Sequence, residues 1–196
     1  MVRSEKTRQL IIEKTAEVFN KKGYAGTSLS DLTAATGLTK GSIYGNFKNK
    51  EEVAIEAFRF NHRFMVNGFQ QQLTGKETPI EKLLAFVDFF RDEYRAVFDR
   101  GGCALLNAAT DVDDMEPRLF QEVKAAFQDW RSGLADIITE GIDRQEIQPV
   151  DARKMAQKMI AVMEGSILLS KTLEEPNILV DNMDGLKREI LHLKTS

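Results

Sequence analysis

The chain has four prolines, Pro79, Pro117, Pro149 and Pro176, and each stands at the edge of a run whose apolar residues recur every three or four positions. Proline lacks a backbone donor and clashes with the preceding helical turn, so a helix tolerates it only in its first turn or just outside. Between the prolines the spacing is that of amphipathic helices, and no stretch alternates apolar and polar residues as a half-buried strand would. Thr78-Pro79-Ile80-Glu81 adds a capping threonine, a proline at the first helical position and a glutamate three residues after the cap. These signals predict an all-α chain with about nine helices, near 3–22, 29–36, 40–46, 49–73, 79–98, 103–110, 117–141, 151–173 and 176–194.

Composition sets the class. With 42% hydrophobic and 29% charged residues, 196 residues can bury the core of one domain, or of two small ones sharing a core. A disordered chain would be poorer in apolar residues. No apolar run approaches the ~18–20 residues of a membrane span, and MVRSEKTRQL lacks the apolar centre of a secretory signal. Cys103 is the one cysteine, so no internal disulfide can form, and a reducing cytoplasm is expected. Two histidines and one cysteine offer no zinc or iron site, and neither metal nor cofactor is expected. Asp111, Asp113 and Asp114 lack the ligand spacing and glycine of a calcium loop and read as a solvated turn.

A net charge of −3 conceals an asymmetry. Residues 1–50 hold nine cations (Arg3, Lys6, Arg8, Lys14, Lys21, Lys22, Lys40, Lys48, Lys50) against four acids (Glu5, Glu13, Glu17, Asp31), a net +5. The remaining 18 basic and 26 acidic residues leave −8 on 51–196. A basic segment on an acidic body suits nucleic-acid binding, although a solvated helix face gives the same pattern.

Residues 27–50, TSLSDLTAATGLTKGSIYGNFKNK, carry the chemistry. Ser28-Leu29-Ser30-Asp31 fits a capping box, Gly37 supplies a tight turn, and Thr39 can cap a second short helix from Lys40. Helix, glycine turn and helix at this spacing make a helix-turn-helix, whose second helix places its first residues against base edges in the major groove. Lys40 can bond guanine or phosphate, and Thr27, Ser28, Ser30, Thr39 and Ser42 are short donors. Gly41 lets the backbone approach DNA, Tyr44 offers a hydroxyl on a rigid stem, and Asn46 can bond adenine or backbone. Lys50, at the start of the next helix, adds charge where free N–H groups favour phosphate. Ile43 and Phe47, four apart on the opposite face, read as core.

This segment resembles the TetR family of bacterial transcriptional regulators. The matching positions are Ile12, Ala16, Phe19, Gly23-Tyr24, Thr27-Ser28-Leu29, Leu32, Ala35, Gly37-Leu38-Thr39, Gly41-Ser42-Ile43-Tyr44, Phe47 and Lys50-Glu51. Where the family often has alanine after Leu32 and histidine before Phe47, this chain has Thr33 and Asn46. The resemblance implies a three-helix DNA-binding domain over 1–48 and a larger helical domain over 49–196 for ligand binding and dimerisation. It also implies a homodimeric repressor, not an enzyme, that binds a near-palindromic double-stranded DNA operator and is released by a small-molecule effector.

The rest of the chain is read on its own terms. Eight of twelve phenylalanines fall between Phe58 and Phe98, which is either a packed core or an aromatic-lined pocket. Phe64, Phe86, Phe90, Phe98 and Trp130, with Asn107 and Glu164 as orienting polar groups, are the candidate effector contacts, implying an apolar or aromatic effector. Asn107 lies in an otherwise apolar stretch, where a buried amide needs protein, water or ligand as partner. Cys103 reads as a small core residue and, secondarily, as a redox-sensing thiol. Leu179, Met183, Leu186 and Ile190 form a heptad seam, and Met159, Val162 and Ser166 repeat along the helix before it. These are the candidate dimer contacts, the alternative being packing within one chain. A DNA-binding dimer with no effector, architectural or division-linked, is the second reading.

Overall fold

A computed structural model describes residues 3–112 and 117–195. Asp113 and Asp114 lie outside them. The described residues form ten helices: α1 (Arg3–Lys22), α2 (Leu29–Thr36), α3 (Lys40–Tyr44), α4 (Lys50–Leu73), α5 (Pro79–Asp92), α6 (Tyr94–Asp99), α7 (Ala104–Val112), α8 (Pro117–Asp143), α9 (Ala152–Leu173) and α10 (Asn177–His192). Among them the one extended pairing is a single antiparallel bridge between Ile147 and Lys194. The helix expected over 79–98 is two, because Glu93 leaves helical geometry (φ −96°, ψ 12°) after closing α5 through its N–H on the Phe89 carbonyl. The chain divides into two compact units, and the division falls within α4 after Met65 and within α8 after Ala126.

The first unit, Met1–Met65 with Arg100–Ala126, contains the helix-turn-helix. Its core is built from Ile11, Ala16 and Phe19 of α1, Leu32 of α2, Ile43 and Phe47 at α3, and Val53, Ala57 and Phe58 of α4. Leu105 of α7 and Leu119 and Val123 of α8 complete it. An ion-pair chain joins three helices here. Arg8 meets Glu52 at 3.1 Å and Glu56 at 3.6 Å, and Arg59 meets Glu56 at 3.1 Å and Glu122 at 2.6 Å. The Arg59 guanidinium holds the Glu122 carboxyl below its ordinary value.

The second unit, Val66–Asp99 with Phe127–Ser196, packs α10 against both α5 and α9. Pro79 sits in the first turn of α5, capped by the reciprocal Thr78–Glu81 box that the sequence predicts. Leu179, Met183, Leu186 and Ile190 of α10 and Met155, Met159, Met163, Ile167 of α9 are all buried within the chain.

Candidate nucleic-acid interface

Short-range bonds set the geometry of the α2–α3 corner. Ser28 accepts the Asp31 N–H at 3.2 Å, and the Ser28 N–H donates to the Asp31 carboxylate at 2.8 Å, closing the capping box of α2. Lys22 reaches the same carboxylate at 2.5 Å. Together these donors hold Asp31 well below the usual carboxylate range, the Lys22 contact foremost. Gly37 ends α2 at φ 69°, a conformation that strains residues with a Cβ, and its N–H bonds the Thr33 carbonyl. Thr39 then accepts the Ser42 N–H and caps α3. Ile43 at 0% and Phe47 at 2% exposure anchor the back of α3, as the spacing predicts.

What remains on the outside is polar. Ser28, Ser30, Thr39, Lys40 and Gly41 are exposed, and Ser42 and Tyr44 are half-buried. A Cβ at Gly41 would meet nothing nearer than the Thr39 hydroxyl at 3.9 Å. Lys50 is half-buried, with its ammonium 4.7 Å above the Tyr24 ring.

One predicted DNA contact is corrected, and a second makes a bond within the corner. Thr27 is 1% exposed and its hydroxyl donates to the Gly23 carbonyl at 2.6 Å, so it fastens the α1–α2 connection from inside. Asn46 folds back, its amide donating to the Ser42 carbonyl at 2.8 Å, and closes the end of α3. Thr27 thus belongs to the frame of the corner, whereas Asn46 stays half-buried at its edge.

Sequence reasoning missed the contribution of α7. One carboxylate oxygen of Asp111 accepts the Tyr24 and Ala25 N–H groups, the latter at 3.1 Å. Asn107 donates to the main-chain and side-chain oxygens of Asn20 at 3.1 and 3.0 Å and to the Gly101 carbonyl at 3.0 Å. Asn20 donates to the carbonyls of Arg100 at 2.7 Å and Gly102 at 3.1 Å. The partners are 80 or more positions apart wherever α1 meets the α7 region, and no local pattern could announce them.

Residues 11–57 match the family described as bacterial regulatory proteins, tetR family, and residues 79–186 match the tetracyclin repressor-like C-terminal domain. The chain belongs to the TetR family. A solved TetR-family transcriptional regulator from Cytophaga hutchinsonii is 40% identical, with a TM-score of 0.93 over 100% of this chain and 98% of that one. The transcriptional repressor DhaR of Mycobacterium sp. (strain GP1) is 26% identical over 84% of this chain and 82% of its own. The fold is also that of the regulator FadR from Bacillus subtilis, solved in complex with stearoyl-CoA, at 23% identity and a TM-score of 0.73 over 93% and 96% of the two chains.

The candidate effector residues of this TetR-family regulator fall into separate groups. Phe86, Phe90 and Trp130 form one aromatic cluster in the second unit, with ring centroids 5.2–5.8 Å apart. Phe69 meets Phe86 edge-on at 5.8 Å. Phe98 pairs with Tyr94, and Glu164 is buried on α9. Phe64 and Asn107 belong to the first unit, where the Arg100 guanidinium lies 4.1 Å over the Phe64 ring. Asn107 lines a small, partly open cavity with Asn20, Asn61, Phe19, Tyr24 and Phe58. Its amide donors are met by protein, so Asn107 also braces the first unit. Cys103 is buried at the foot of α7.

Six of the seven candidate dimer contacts are also corrected. Leu179, Met183, Leu186, Ile190, Met159 and Ser166 are each at most 2% exposed in the single chain, so α5, α9 and α10 already occupy them. Val162 is half-buried at the rim. Two apolar stripes run along α9, and the inner one turns towards Met163, Ile167 and Ser170. Leu168, Leu169 and Leu173 on the other stripe remain 54%, 49% and 53% exposed. Among the described residues no helix is long and apolar enough to cross a membrane.

Proposed function

We propose that this TetR-family regulator is a cytoplasmic repressor, a homodimer that binds a near-palindromic operator and leaves it when a small, apolar or aromatic effector binds. In this reading residues 1–48 read DNA and 49–196 carry effector binding and dimerisation. The observation that carries it is the α3 tip, where Thr39, Lys40 and Gly41 are exposed on a helix whose other face is locked by Ile43 and Phe47. A cation at the first position of a short recognition helix can meet guanine O6/N7 or a phosphate, and Ser42 and Tyr44 lie on the same tip. The aromatic cluster of Phe69, Phe86, Phe90 and Trp130 supports an apolar effector. So does the fold shared with a regulator solved with an acyl-CoA. Ala161, Gly165, Leu168, Leu169 and Leu173 give the partner protomer an apolar surface on α9.

Gel retardation with the DNA upstream of its own gene tests the reading. A sequence-preferring complex at moderate salt is expected, and Lys40→Ala or Tyr44→Ala should weaken it by ~1–3 kcal/mol with the melting temperature unchanged. Equal affinity for unrelated DNA would overturn it.

A further inference from the structure

We infer that Asp111, with Asn107 behind it, is a positioning residue for DNA binding: α7 holds the α1–α2 connection in the path that sets the helix-turn-helix. This inference rests on the DNA-binding reading above. Every residue concerned belongs to the first unit.

The connection is short and has little core of its own. Gly23 turns the chain at φ 77°, and Tyr24 and Ala25 then present consecutive N–H groups to one Asp111 oxygen. A carboxylate receiving two backbone donors makes charge-assisted bonds, stronger than bonds between neutral groups. The fit is close, since a Cβ at Gly23 would stand 3.1 Å from the Asp111 carboxylate. The Thr27 hydroxyl returns to the Gly23 carbonyl, and the next residue, Ser28, is the cap of α2. Asp111 is therefore three residues from the start of the helix-turn-helix by way of Ala25.

A second line runs through Tyr24. Its backbone is held by Asp111, its ring stacks on Phe19 at a centroid distance of 6.0 Å, and the Lys50 ammonium lies over that ring. The carboxylate thus fixes the platform under a cation at the start of α4. Asn107, one turn before Asp111 on α7, keeps the helix seated by bonding Asn20 near the end of α1. Neither side chain needs to touch DNA for this role.

The test uses the full-length chain and its operator. Asp111→Ala should keep the helical spectrum and melt above the assay temperature, yet bind the operator about tenfold more weakly, the scale of one charge-assisted bond. Its affinity for unrelated DNA should change less. Asp111→Asn, which retains an oxygen acceptor without the charge, should fall between. Exchange at the Tyr24 and Ala25 amides should quicken in both variants, which a role in global stability alone would not produce below the melting range. Unchanged operator affinity in both variants, or unchanged exchange at those amides, overturns the inference. Should Asp111→Ala not fold, Asp111→Asn carries the same two measurements. If the unsubstituted protein binds no operator, the DNA-binding reading fails, and that result is distinct from a variant matching it.

Discussion

From Leu29 to Tyr44 the only buried residues within the helices are Leu32 and Ile43, whereas α9 and α10 bury twelve between Ala152 and His192. The corner takes its shape from bonds spanning three or four residues, Ser28 with Asp31, Gly37 with Thr33 and Thr39 with Ser42. The α9–α10 pair takes its shape from which apolar stripe finds a partner. The first arrangement leaves polar side chains outside, and the second leaves a leftover apolar stripe. A residue's type alone therefore predicts different roles in the two regions.

The strongest way to break this contrast is to exchange inner for outer leucines. Leu186→Ala removes a side chain that is 2% exposed and should cost ~2–5 kcal/mol of stability, read by chemical denaturation. Leu169→Ser alters a side chain that is 49% exposed and should leave the protomer's stability nearly untouched while weakening self-association, read by sedimentation. Similar stability losses for both would mean that the outer stripe of α9 is packed as the α10 seam is.

The same contrast explains what was legible in the sequence. Helix positions followed from prolines, caps and periodicity, all of which act within a turn or two. The backbone of the α2–α3 corner was legible for the same reason, down to the reciprocal box and the left-handed Gly37. Thr27 was misassigned, and the inward bond of Asn46 was not legible, because residue type shows a donor's capacity but not the carbonyl that takes it. The α10 seam was correctly read as apolar and wrongly placed between protomers, since periodicity reports burial without naming the partner. Asp111 was read as part of a solvated turn, because its contacts to Tyr24 and Ala25 cross more than 80 positions of sequence.

A smaller effect sharpens the local side of the comparison. If the capping box shapes the corner, Ser28→Ala should cost ~0.5–2 kcal/mol of stability and loosen the start of α2, with the second unit unaffected. Protease nicking near residue 28, or faster amide exchange confined to α2, would register it. A loss spread evenly over both units would contradict the local account.

The smallest effect concerns pH. Lys22 and Ser28 stabilise the ionised Asp31 carboxylate, so its folded-state value lies below that of the unfolded chain. For such a depressed carboxylate the unfolded chain binds the proton first as pH falls, and the folded state loses its advantage progressively. The contribution is fully present above the unfolded value of about 3.9 and declines below it. Asp31→Asn should therefore be less stable than the parent at pH 7, with the gap constant to about pH 5 and closing towards pH 3. Thermal midpoints of both chains across that range provide the check. The carboxylate is half-buried and still reached by solvent, so screening keeps the gap small, and adding salt should shrink it at neutral pH. A gap independent of pH and salt would assign the role of Asp31 to its shape as a cap, without its charge.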